Sequence, residues 1–191
     1  MRLFMVRHGQ SEANLNRTYA GQTNTPLTEQ GRMEAQQIRP ILENIQFDKV
    51  YSSDLIRAID TQKLALPGVE GIRLPVLREI DVGSLAGMSI PEVQKEHGEK
   101  FQHGMAYAYF GGESAQDVRE RAQAFLRLVE EEPCENVIAF SHNGFMSSVF
   151  EVVVQASVSR SAIRSANCAI HVYDYDGKMW RLVSWNYMKQ L

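Results

Sequence analysis

Cysteine is nearly absent: Cys134 and Cys168 are the only two in 191 residues. They are too few for a disulfide framework and lack metal-ligand spacing, so a reducing cytoplasmic setting is expected. Excess positive charge is also missing, with 20 Lys and Arg against 23 Asp and Glu and a formal net charge of −3. Without a basic run or tail, the chain does not read as a binder of nucleic acid or of a membrane surface. Any anion site must be a local gathering of Arg and His. No stretch approaches the ~20 apolar residues of a membrane span, and Leu3–Val6 is too short an apolar run for a signal peptide. Internal repeats and low-complexity segments are lacking too. The length suits one domain over residues 1–191, large enough to bury a real core.

What is present alternates. Leu3–Val6 and Val137–Phe140 are short continuous apolar runs, as expected of strands buried on both faces, and Asp48–Tyr51 is a weaker run of the same kind. From Glu113 to Glu132, Ala115, Val118, Ala122, Phe125, Leu126 and Val129 fall on one face of a helix. Ser53 is placed to cap a helix carrying Leu55, Ile56, Ile59 and Leu66 inward. Thr28 is placed to cap another reaching about Asn44, with Pro40 expected to interrupt it. Phe145–Val154 is apolar nearly all round and predicts a buried helix. Ala169–Tyr175 and Met179–Trp185 flank Asp176-Gly177, a hairpin signal. This order predicts an α/β domain with a mostly parallel sheet. Residues 80–112 break the rhythm and predict an insertion over one end of the sheet, with a short helix near Pro91–His97.

In open α/β sheets, ligands sit beyond the carboxyl ends of the strands. His8 follows the first apolar run and His142 follows Val137–Phe140. Each has a glycine within two residues, Gly9 and Gly144, where backbone can approach a ligand closely. Arg7 precedes His8. Arg57, in "SSDLIRAIDT", and Glu79, in "LREIDVG", follow other candidate strands toward the same edge. Each residue alone reads as a surface group. Together, two arginines, two histidines and one acid form a coherent set for a phosphoryl group: cations for its oxygens, a nucleophile, and a proton donor for the leaving oxygen.

Their context resembles the histidine phosphatase superfamily, in its phosphoglycerate mutase-like branch. Arg7-His8-Gly9 matches the family's "RHG", followed by Ser11 and Asn14. "AGQTNTPLTEQG" (Ala20–Gly31), "SSDLIRAIDT", "LREIDVG", "GGES" and "AFSHNGF" follow in family order over nearly the whole chain. The resemblance implies a three-layer α/β sandwich with a mostly parallel central sheet, helices on both faces and a small insertion over the active site. It implies His8 as the phosphorylated nucleophile, Arg7, Arg57 and His142 on the phosphoryl oxygens, and Glu79 as general acid and base. Asn14 is implied as a further phosphate contact, and Asn143 stands in the substrate pocket where the family usually has Gly. Gln22, Asn24 and Leu85-Ala86 also depart from frequent family residues.

The activity implied is a phosphomonoesterase acting on a small phosphorylated metabolite through a phosphohistidine, with no cofactor or metal. The alternatives are a phosphoglycerate mutase and an inactive phospho-ligand binder. The segment from Glu79 to Glu113 favours the phosphatase, because it is short and its only lysines are Lys95 and Lys100. Phe101, Tyr107, Tyr109 and Phe110 outnumber those lysines and are expected mostly to pack the insertion. The chain is expected to be a monomer or homodimer.

Overall fold

The computed structural model describes residues 1–98, 100, 106–131, 133–156 and 165–187. Its strands are β1 (Arg2–Arg7), β2 (Lys49–Ser52), β3 (Ile72–Arg73), β4 (Asn136–Ser141), β5 (Ile170–Tyr175) and β6 (Trp180–Tyr187). Among the described residues they form one sheet in the order β3-β2-β4-β1-β5-β6. Pairings β1–β4, β2–β4 and β2–β3 are parallel, and the closing pairs β1–β5 and β5–β6 are antiparallel.

The apolar runs become central strands because both of their faces are covered. Leu3, Met5, Val137 and Ala139 point to one side. There they meet Val118, Phe125 and Val129 of α6 (Ala115–Glu130) and Phe145 and Val149 of α7 (Asn143–Val154). Phe4, Val6, Ile138 and Phe140 point to the other. They pack on Ala35 of α2 (Glu29–Gln37), Leu42 of α3 (Arg39–Leu42) and Ala65 of α4 (Ile56–Ala65). The period-2 alternation of each strand thus feeds two separate cores, giving the three-layer sandwich.

Local signals set most boundaries. Thr28 accepts the Gly31 N–H at the start of α2, and Ser114 opens α6 with a capping box to Asp117. The expected single helix to Asn44 is two helices meeting at Ile38. Pro40 sits in the first turn of α3, where its missing N–H costs nothing. Ser53 does not cap α4. The N-cap is Leu55, without a side-chain bond, and Ser53 Oγ instead accepts from the Leu55 N–H and meets His142. Of the expected inward residues Leu55 and Leu66 are buried, but Ile56 is exposed, and the helix instead buries Arg57, Ala58, Thr61, Gln62 and Ala65.

The described part of residues 80–112 contains α5 (Ile90–His97) and a small core of Val82, Leu85 and Val93, against which Tyr19, Tyr107 and Phe110 pack. Leu85, one of the family departures, is a buried member of that core. Tyr109 is 68% exposed and does not pack there. Phe101 lies outside the described residues.

Candidate active site

Parallel register brings the two histidines together. Arg7 pairs with Ser141 across β1 and β4, so the next residues, His8 and His142, leave the sheet side by side with ring centroids 5.1 Å apart. Behind His8 the backbone is very close to its neighbour. A Cβ on Gly9 would lie 2.3 Å from the Gly31 carbonyl oxygen, so only glycine fits. Thr28 N–H and Oγ1 both bond the Gln10 carbonyl, fixing the same crossing.

Both rings of this pair are neutral. Burial, then Arg57 and Arg7, hold His8 well below the ordinary imidazole value, outweighing the opposing hydrogen bond to Gly9. That bond also selects the tautomer. Nδ1 lies 2.7 Å from the Gly9 carbonyl oxygen, which can only accept, so Nδ1 carries the proton and Nε2 keeps its lone pair. His142 is likewise held low by burial first, then Arg57. Its Nδ1 accepts from Arg57 Nε at 3.2 Å, so its Nε2 donates to Ser53 Oγ at 2.9 Å.

Arg57 is a buried cation tied to the loop before α2. Nη1 donates to the Thr23 carbonyl and Nη2 to that of Gly21, each at 2.8 Å. Asn24 Oδ1 accepts the Ile56 N–H at the start of α4, so the Asn24 departure ties the same loop to the helix carrying Arg57. Burial lowers the Arg57 guanidinium to about 10, Glu79 opposing. Arg7 is lowered by the same cause, again opposed by Glu79. Arg7 Nη1 donates to the Ser165 carbonyl, while its buried Nε has no hydrogen-bond partner among the described residues.

Glu79 reaches the first turn of α7. Its Oε1 accepts the N–H groups of Ile80 (2.9 Å) and Phe145 (3.2 Å), and its Oε2 that of Gly144 (3.2 Å). Gly144 is needed for this approach, since a Cβ there would lie 2.4 Å from Oε1.

A cavity of about 280 Å³ opens over these groups, lined by Arg7, His8, Asn14, Arg57, Glu79 and Asn143, among others. Every sequence-derived site residue except His142 therefore faces it. His142 is fully buried and touches the site through Arg57. Asn14 Oδ1 accepts the Ser11 N–H, leaving its amide N–H groups as its donors.

Two supports were not foreseen. Arg121 on α6 donates to the carbonyls of Val76, Arg78 and Glu79 and pairs with Glu113 at 2.8 Å. It thereby fixes the backbone that carries Glu79. Ser165 lies between three partners: Asn143 Oδ1 accepts its N–H, Arg7 bonds its carbonyl, and His171 Nε2 meets its Oγ at 2.7 Å. The only signal for the second was Asn143 standing where glycine is usual.

A neutral imidazole with a free ring nitrogen, two arginines and a carboxylate are groups that can together bind and transfer a phosphoryl group. The chain is 33% identical over 162 residues to the adenosylcobalamin/alpha-ribazole phosphatase of Salmonella typhimurium, covering 77% of this chain and 76% of that protein. It is 30% identical over 186 residues to a 2,3-bisphosphoglycerate-dependent phosphoglycerate mutase of Rhizobium etli, covering 90% and 89%. The structure superposes on a mycobacterial glucosyl-3-phosphoglycerate phosphatase solved with VO3, with a TM-score of 0.86, 29% identity, and 98% and 99% of the two chains covered. A family model for branch 1 of the histidine phosphatase superfamily matches residues 3–188, and to that superfamily the chain belongs.

Proposed function

We propose that the protein is a phosphomonoesterase that hydrolyses a small phosphorylated metabolite through a phosphohistidine at His8. The observation that carries this reading is the Nδ1–H bond from His8 to the Gly9 carbonyl, because it leaves a neutral Nε2 as nucleophile. Nε2 attacks phosphorus in line, and the bond from phosphorus to the leaving oxygen breaks. Glu79 supplies the proton that the leaving alkoxide takes. Oε2 accepts one protein N–H while Oε1 accepts two, so Oε2 has room for that proton. Water then attacks the phosphohistidine, returning a proton to Glu79 and electrons to Nε2, and phosphate leaves.

Arg7 and Arg57 counter the phosphoryl charge, Asn14 and Asn143 donate or orient at the cavity, and His142 holds Arg57. Cationic side chains supply the electrostatic stabilisation, so the step needs no metal, and activity is expected to survive EDTA. With a radiolabelled ester, label should stay on the protein after alkaline quench and be lost in acid. His8→Ala should abolish both label and turnover; near-full turnover would overturn the assignment.

The mutase relatives support a second reading, in which the phosphoryl group returns to a bound product. Interconversion of phosphoglycerates that depends on added bisphosphoglycerate, without net phosphate release, would establish it.

A further inference from the structure

We infer that the substrate's alcohol portion is uncharged and carries a single ring, which seats against a neutral wall built by the insertion. This substrate class deepens, and rests on, the phosphomonoesterase reading. The charged groups lining the cavity among the described residues are Arg7, Arg57 and Glu79, with His8 neutral between the arginines. Both cations are committed to the phosphoryl end. The remaining wall includes Tyr19, Ile80, Val82, Ile90 and Tyr107.

That wall is preformed. Tyr19 and Tyr107 meet edge to face with centroids 6.1 Å apart, and both pack on the Val82, Leu85 and Val93 core. The backbone of Tyr19 bonds Met88 and Gly87. Burial pushes the Tyr19 phenol up, so that ring stays neutral. An apolar or planar ring gains contact here and costs the wall no ordering. A carboxylate in the same place would lose water beside aliphatic and aromatic groups. The volume, about 280 Å³, falls just below the usual range of small-molecule sites, about 300–1,000 Å³. It suits a phosphoryl group and one ring.

The test compares alkyl esters, so leaving-group chemistry does not decide the result. Benzyl phosphate should show a kcat/KM at least about tenfold above 3-phosphoglycerate and phosphoserine. Tyr107→Ala should reduce that ratio about tenfold, and Tyr107→Phe should retain it. A parallel binding arm needs no turnover: benzylphosphonate should bind at least about tenfold tighter than 3-phosphonopropionate by calorimetry. Equal or reversed preference in both arms overturns the ring assignment. Failure to hydrolyse any ester, nitrophenyl phosphate included, overturns the phosphatase reading, while the phosphonate affinities still decide the ring preference.

Discussion

The side-chain oxygen of Asn143 accepts the backbone N–H of Ser165 at 3.3 Å, and the carbonyl of Ser165 takes Nη1 of Arg7. The residue that departs from the family pattern therefore anchors the partner of an arginine that lines the cavity. Asn143→Gly should free that segment, raise KM and the inhibition constant for vanadate about tenfold, and change kcat less. Asn143→Asp keeps the acceptor but adds a negative charge facing the cavity, and should weaken vanadate further. Unchanged vanadate inhibition in both variants would show that Asn143 does not position Arg7.

Glu79 should matter most when the leaving oxygen needs a proton. Glu79→Gln should cost about 10²–10³ in kcat with alkyl phosphates, and much less with nitrophenyl phosphate, whose leaving group is stable as an anion. Rapid-quench kinetics must first show that phosphorylation of His8 limits the rate, since Glu79 also serves the water attack. Equal losses on both ester types under that condition would remove Glu79 as the acid.

Arg121 is not among the residues lining the cavity, yet it bonds the carbonyl of Glu79 at 3.3 Å. Arg121→Met should lower kcat on alkyl esters about tenfold while leaving KM close to wild type. Loss of its charge-assisted bonds should also cost about 2 kcal/mol of stability. Arg121→Lys retains charge but not the fork, so it should recover little of the kcat. If destabilisation occurs with no change in the alkyl-to-aryl ratio, Arg121 is a packing residue alone.

Acid should destabilise the fold earlier than its carboxylates require. His8 and His142 are held well below the ordinary imidazole value, and His171 is lowered to about 3, each chiefly by burial. In the unfolded chain they titrate near pH 6.5. Below that pH the unfolded state binds more protons than the folded one, so stability falls as pH drops from about 6.5 toward the folded values. Above it, these groups contribute no slope. Each histidine should account for up to about 1.4 kcal/mol per pH unit. Urea midpoints measured between pH 7 and 5.5 check this, and a flat midpoint would contradict neutral burial.

The sequence was most informative where one contact explains one residue. The strands β1, β2 and β4 show as apolar runs because each is covered on both faces. β3 does not, because Ile72–Arg73 is two residues long, and Ile72 is 49% exposed. Apolar periodicity placed Leu55 and Leu66 inward correctly but missed Ile56. Burying Arg57 against carbonyls from a loop more than thirty positions away turns Ile56 outward. Spacing within a helix carries no record of such a partner. Arg121 escaped notice for the same reason, since its targets are main-chain carbonyls rather than a recognisable side-chain pattern.

The two arginines also tie the lifetime of the protein to what surrounds it. The site keeps a buried guanidinium lowered to about 10 beside a second desolvated one, a standing electrostatic strain on the folded state. On the proposed function, the product phosphate binds where those charges are assembled, so it should shift unfolding by mass action, by about 2.7 kcal/mol at a hundred times its dissociation constant. Protease resistance should rise with phosphate in step with the melting temperature, and Arg57→Met should uncouple both from it. A cell short of phosphate would then hold less of this enzyme through faster clearance, before any change in its synthesis.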